Sequence, residues 1–244
     1  MVRKASITLV VAFSAALAAA AAIDKRIRGG EEAQEGEFPF VVRLHYENPI
    51  ALCAGSLLDS TTVLTAAHCL EGKGDEVLSV RAGSLSKDYG GVVAEVESVR
   101  QHPDWTQIDH QNDIAILKLS SPIEESETIG YAKLPPGGSN PVNGSTAVAA
   151  GWGDNGCGPA DRLRKVGQHI RDITDCVKVL PTLFPDGKVC ASGAGDTAAG
   201  DSGGPLIDEA TGQVIGITSF WHFYTKVSSY RAFINGIDPR AITA

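Results

Sequence analysis

Gly200-Asp201-Ser202-Gly203-Gly204-Pro205-Leu206 sets a serine in a glycine-lined turn, 42 residues before the chain ends at Ala244. A serine hydroxyl is a poor nucleophile at neutral pH. It acts when a neighbouring imidazole takes its proton and a buried carboxylate holds that imidazole in the right tautomer. Working back along the chain, Asp113-Ile114-Ala115-Ile116-Leu117-Lys118-Leu119 offers a carboxylate leading into an apolar strand. Further back, Thr65-Ala66-Ala67-His68-Cys69 offers a base. The chain order is therefore His, Asp, Ser.

That order decides between folds. Gly200-x-Ser202-x-Gly204 also fits the nucleophile elbow of a parallel α/β sheet, where Ser comes first, then Asp or Glu, then His. Here the His and Asp contexts precede the serine. The stretch after Ser202 includes His222 but no helix–strand alternation, so the elbow is excluded. Short apolar runs separated by Gly, Pro, Asn and Asp instead predict an all-β chain of barrels or sandwiches. They are Phe40–Tyr46, Leu52–Leu58, Val77–Ala82, Val92–Val99, Asp113–Leu119, Ser145–Ala150 and Gln213–Ser219. The clearest helix lies near the end, where Tyr230, Phe233, Ile234 and Ile237 recur at helical spacing, with Ser228 or Ser229 as cap and Gly236 near the stop. Pro135-Pro136-Gly137-Gly138 reads as a linker between two units.

The first residues read as a secretory signal: basic Arg3 and Lys4, apolar Ile7–Ala22, and the small-residue site Ala18-Ala19-Ala20. The apolar stretch is a little short for a membrane anchor, which needs about 20 residues. The whole chain carries a net charge of −8. Arg3, Lys4, Lys25 and Arg26 against Asp24 make the first 26 residues +3, so a chain starting at Ile27 carries −11. An acidic protein lacks the electrostatic footprint for nucleic acid, and the charge reads as a solubility feature. The 218 residues from Ile27 suffice for two small all-β cores or one large one. Five cysteines in a secreted chain predict two disulfides and one leftover. Cys53 and Cys69 bracket a short hairpin-like segment, Cys176 and Cys190 bracket another, and Cys157 has no obvious partner.

Taken together, these segments resemble the trypsin/chymotrypsin family of secreted serine peptidases, from Ile27 to about Ile237. The resemblance implies two antiparallel six-stranded β-barrels with an active site between them and a C-terminal helix. It divides the chain into a signal peptide (1–22), a short activation propeptide (23–26) and a peptidase domain (27–244). Within that domain it implies a first barrel over about 27–134, a second over about 135–228 and a helix over about 229–237. By the same resemblance His68 is the general base, Asp113 its orienting partner and Ser202 the nucleophile. The backbone N–H groups of Gly200 and Ser202 form the oxyanion hole, whose donors are each worth about 2.7–4 kcal/mol of barrier lowering. Ser219 hydrogen-bonds the buried aspartate. Cys53–Cys69 and Cys176–Cys190 are the implied disulfides. His45, His102, His110, His169 and His222 read instead as surface or packing residues, and Asp104 and Asp109 as loop residues.

Asp24-Lys25-Arg26 before Ile27-Arg28-Gly29-Gly30 resembles the family's zymogen junction, cut after Arg26. The freed Ile27 amine would turn inward and pair with Asp201, since a buried charge needs a partner. Gly151-Trp152-Gly153 resembles a segment that orders at the same step. Asp196, six residues before Ser202, stands where trypsin-like members place the acid that pairs with a substrate Lys or Arg; otherwise it is a turn-forming loop acid. Ala198 replaces a usual cysteine and Phe220 a usual tryptophan. The stretch Ser219–Val227 is about ten residues shorter than in the family, so the pocket's second wall is truncated. Trp221 or His222 fills the slot, or the pocket is open on one side. Three readings stay open: trypsin-like cleavage with a looser pocket, a catalytically impaired homologue that binds or inhibits other proteins, or a sequence lacking one stretch.

The implied partners are protein or peptide substrates and proteinaceous protease inhibitors. Neither nucleic acid nor membrane is expected as a partner. No cofactor is needed, and the chain is a monomer unless Cys157 links two copies. Asn143-Gly144-Ser145 is a glycosylation sequon on a surface loop. Glu71, Asp75 and Glu76 give no clear ligand set, so no metal site is expected.

Overall fold

The computed structural model describes residues 30–46, 52–71, 77–154, 156, 158–179 and 186–237. The proposed signal, the Arg26–Ile27 junction, Asp75, Glu76 and Cys157 lie outside the described residues. The chain begins with a two-residue strand, β1 (Glu31–Glu32). Then come β2 (Val41–Tyr46), β3 (Cys53–Asp59), β4 (Thr62–Thr65), β5 (Val77–Ala82), β6 (Val92–Gln101) and β7 (Ala115–Leu119). These six close an antiparallel barrel in the order β2-β3-β4-β7-β6-β5. After the Pro135–Gly138 stretch follow β8 (Thr146–Gly151), β9 (Arg164–Arg171), β10 (Lys188–Ser192), β11 (Pro205–Asp208), β12 (Val214–Phe220) and β13 (Phe223–Lys226). They run in the order β9-β10-β13-β12-β11-β8, and β8 pairs with β9 to close a second barrel. The fold is thus mostly β, with two closed six-stranded antiparallel barrels. The first strand, β1, pairs with β9 and so belongs to the second sheet.

Each barrel is filled by residues that alternate inward along its strands. Leu44, Leu57, Leu64 and Leu117 fill the first, and Ala149, Val166, Ile170, Leu206 and Tyr224 the second. Fully burying one Leu or Val is worth about 1.5–3 kcal/mol, so these runs set the register of each strand. Several strands escape an apolar-run search. In β9 the inward residues are Arg164, Val166, Gln168 and Ile170. Two of these four are polar, and they are satisfied by backbone carbonyls: Arg164 Nη2 donates to Gly30 O (2.8 Å) and Gln168 Nε2 to Gly195 O (2.9 Å).

The terminal helix is shorter than the 229–237 expected. Val227–Tyr230 form a 3₁₀ turn, and only Arg231–Ile234 are α-helical. Ser228 does not cap it; its hydroxyl donates instead to Ser139 O, and the residue at the N-cap position is Tyr230. Gly236, at φ +85°, stops the helix. Phe233 packs back on the first barrel beneath Arg100, whose guanidinium lies 4.3 Å from the ring centre. A helix not read from the sequence, Ile173–Val179, carries Cys176 to Cys190 on β10.

Candidate active site

Strand β4 runs into a 3₁₀ turn, Ala67–Leu70, that presents His68. The Cys53–Cys69 disulfide ties this turn to β3. Asp113 stands two residues before β7, which pairs with β4 through Thr65 and Ala115. That register brings His68 and Asp113 together across 45 residues of chain. Asp113 is fully buried. One oxygen accepts the His68 backbone N–H (2.9 Å), and the other accepts His68 Nδ1 (2.8 Å) and Ser219 Oγ (2.5 Å). Burial pushes this carboxyl's pKa up, but the hydrogen bonds and charges of His68, Lys188 and Ser219 outweigh burial and hold it below the ordinary value. An ionised carboxylate only accepts, so Nδ1 carries a proton, and in the neutral ring Nε2 is the nitrogen left free to accept one.

Ser202 lies in the turn between β10 and β11. Its carbonyl accepts the Ala54 N–H from the first barrel (2.8 Å), while the Gly203 N–H reaches Thr218 O in the second (2.9 Å). Gly203 has φ +77°, and a Cβ there would lie 2.2 Å from Thr65 Oγ1 and 2.5 Å from Ala54 O. Only glycine allows the barrels to approach this closely. Gly200 is constrained too, at φ +107° and packed on Gly153 and Trp152. The Ser202 hydroxyl and the His68 ring are not hydrogen-bonded to each other, a contact that commonly tightens only with substrate bound.

Asp201 is buried and faces Gly151 and Gly153. Its carboxylate accepts the Gly153 N–H (2.8 Å) and the Ala198 N–H (2.9 Å). Burial pushes its carboxyl up to about 6, with those two N–H groups pulling it back down.

Beside Ser202 lies a cavity of about 490 Å³ lined by Asp196, Ala198, Ser219, Phe220, Trp221 and His222, among others. Strands β12 and β13 are joined by Trp221 and His222 alone, since Phe220 pairs directly with Phe223. This tight turn stands where the sequence shows a truncated wall. His222 enters the pocket, its Nδ1 3.4 Å from Asp196 Oδ1. A larger cleft of about 590 Å³, lined by Gly30, Glu37 and Lys165 among others, holds none of these residues.

Two histidines read as ordinary from the sequence therefore belong to the site. His222 meets Asp196, and His110 stacks on Phe220 with ring centres 4.9 Å apart. The edge of His110 also approaches His68, and its Nδ1 lies 4.0 Å from Asp113. No motif surrounds either histidine; proximity to Asp113 in sequence was the one signal for His110, and the shortened stretch after Ser219 was the signal for His222. His68, His110 and Asp113 present ligand atoms within 4.8 Å of one another, but the His68–Asp113 hydrogen bond already engages two of the three. The cysteine sulfurs near His68 are closed in a disulfide.

Known proteins agree with this architecture. The Trypsin family profile matches residues 27–235. Trypsin alpha of Drosophila melanogaster is 34% identical over 215 residues, covering 85% of this chain and 82% of that protein. Trypsin alpha-4 of Lucilia cuprina is 34% identical over 242 residues, covering 92% and 90%. Among solved structures, a scabies mite inactivated protease paralogue, S-D1, superposes with a TM-score of 0.77 over 85% of this chain and 97% of its own. At 21% identity it shares the fold. With two barrels, the His-Asp-Ser order and this length of similarity, the chain belongs to the trypsin family of serine endopeptidases.

Proposed function

We propose that the protein is a secreted zymogen that, once cut after Arg26, hydrolyses peptide bonds after Lys or Arg through His68, Asp113 and Ser202. The observation that carries this reading is the grip of the fully buried Asp113 carboxylate on the backbone N–H and the Nδ1 of His68, at 2.9 and 2.8 Å. That grip leaves Nε2 of the ring free to act on Ser202. His68 takes the Ser202 proton as the hydroxyl attacks the scissile carbonyl. The Gly200 and Ser202 N–H groups receive the oxyanion, and His68 returns the proton to the leaving amine. Water then hydrolyses the acyl-enzyme by the same route. A protein retained only for binding has no need of this buried, ionised carboxylate.

Activation works through Asp201. A buried acid with a pKa near 6 resists ionisation, and the Ile27 amine brought beside it would restore its charge and fix the Gly200–Ser202 turn. Specificity works through Asp196, half open to solvent beneath a basic side chain of the substrate. His222 modulates that specificity: its ring stands against the same carboxylate that the substrate cation needs. Two disulfides fit an oxidising, extracellular location. Exposed Asn143, in a turn, is a glycosylation acceptor there. Protein inhibitors that offer a Lys or Arg loop are further partners, and the enzyme works as a monomer.

The test is cleavage after Arg26, checked by N-terminal sequencing at Ile27. Fluorophosphonate labelling and a matched pair of Arg and neutral substrates follow. Labelling lost in Ser202→Ala and turnover of the Arg substrate are expected. Asp196→Asn should cut kcat/KM for Arg at least 10²-fold, on the order of losing a buried ion pair, while sparing the neutral substrate. His222→Gln, which removes the ring from Asp196, should raise the preference for Arg over the neutral substrate. An activated, folded protein that neither labels nor turns over would leave a binding role in its place.

A further inference from the structure

We infer that Lys188 is a positioning residue of the catalytic site, an internal cation that braces the Asp113 carboxylate and its loop from beneath. The inference rests on the roles proposed above for His68, Asp113 and Ser202.

Lys188 opens β10, paired with Thr225 of β13, and is almost wholly buried. Burying an ammonium group is costly, and an apolar side chain could fill the same space. Its three donors find three neutral acceptors: His110 O at 2.5 Å, Ser219 Oγ at 3.3 Å and Thr225 Oγ1 at 3.3 Å. The charge is answered through one of them. Ser219 Oγ, accepting from Lys188, donates its own proton to Asp113 Oδ2. The chain of donors ammonium, hydroxyl, carboxylate has one polarity, so the Ser219 proton is committed to Asp113.

The bond to His110 O fixes the loop as well. His110 and Asn112 both have left-handed φ, +51° and +53°, on the approach to Asp113. Such backbone is held only where its surroundings over-determine it. Lys188 holds one point of this loop. Tyr230 OH, donating to Asn112 Oδ1 (3.1 Å), and Asn112 Nδ2, donating to Asp104 O (2.7 Å), hold the next.

The charged and titratable groups around Lys188 come from every neighbouring element. The loop before β7 supplies Asp109, His110 and Asp113 directly, while His68 of the 3₁₀ turn after β4 and Tyr230 of the later 3₁₀ turn reach it through Asp113. β12 and β13 add the neutral hydroxyls of Ser219 and Thr225. Burial pushes the Lys188 ammonium down to about 8, against the pull of Asp113 and then Asp109. Below that pH it is a cation, and it opposes a proton arriving on the triad. Removing it lets that proton arrive at higher pH.

The experiment measures kcat and KM from pH 5 to 10 on activated wild-type protein, Lys188→Met and Lys188→Arg, with fluorophosphonate labelling to count competent sites. Lys188→Met should move the acid limb of kcat/KM to higher pH by about half a unit to one unit. It should lower kcat several-fold and leave KM within about twofold, because Lys188 does not touch substrate. Lys188→Arg, keeping the charge, should return the limb toward the wild-type position. A limb that stays in place in a folded, labelling Lys188→Met protein overturns the inference while leaving the triad reading intact. Should neither variant fold, NMR of the unaltered protein decides, with or without turnover. The titration of Lys188 Nζ near pH 8 should move the Asp113 carboxyl resonance in the same step, and an Asp113 resonance that does not respond to it overturns the inference.

Discussion

Asp113 answers to three elements at once, and single-residue changes around it separate their effects. Asp113→Asn keeps the shape but offers Nδ1 an amide donor. Turnover should drop by about the 10⁴-fold seen in the type example of this triad, with KM little changed. Lys188 has a second consequence, for stability. Its folded pKa of about 8 lies below the ordinary lysine value of 10.5 that the unfolded chain keeps. Between these values the unfolded chain binds more protons, so stability rises with pH through that window. Urea unfolding at pH 8 and pH 10.5 should show a gain from this group of at most about 3 kcal/mol, and Lys188→Met should lack it. Asp201 works with the opposite sign. In uncut protein its carboxyl is raised to about 6 from 3.8, so its contribution to stability falls as pH rises from about 4 to 6. The motif residues His68, Asp113 and Ser202 were legible in the sequence because their neighbours are distinctive. Lys188 and His110 were not, because a lone lysine or histidine carries no such context, and His222 was legible only as one of two residues that fill the pocket slot.

At the scale of the element, the β12–β13 hairpin carries the stretch that the resemblance reads as shortened. A two-residue turn takes the place of a longer wall, and its first residue, Trp221, has φ +52°. Glycine is the residue such a position favours. Trp221 is also largely exposed, so little packing compensates for the strain. Trp221→Gly should therefore be more stable than Trp221→Ala by about 1 kcal/mol, measured by thermal or denaturant unfolding. The shortening was legible as a count of residues. Its consequence, His222 turned onto Asp196, required the hairpin geometry. The strands follow the same division: β5 matched its apolar run from Val77 to Ala82, whereas β9 was hidden by inward Arg164 and Gln168. The short helix at Ile173–Val179 serves mainly to present Cys176. Removing the Cys176–Cys190 bridge, 14 residues apart, should cost about 3 kcal/mol.

At the scale of the molecule, the two barrels divide the chemistry. The first supplies His68 and Asp113, and the second supplies Ser202, Ser219 and the pocket. They meet where Ala54 N–H binds Ser202 O and where Gly203 lies against Thr65. Gly203→Ala should force this seam apart, lowering stability by several kcal/mol and abolishing labelling of Ser202. Gly167→Ala, with open space at its Cβ, is the control that should stay active. By itself the sequence determined the family, the all-β class and the order of the His, Asp and Ser motifs, because those rest on local patterns: alternation along strands, glycines in turns, residues flanking a serine. The tertiary structure alone decided what closes the pocket and what charges the site from within. Those depend on groups far apart in the chain, such as Lys188 and His110 at 78 residues' separation. A buried charge takes its role from the partners that folding brings to it.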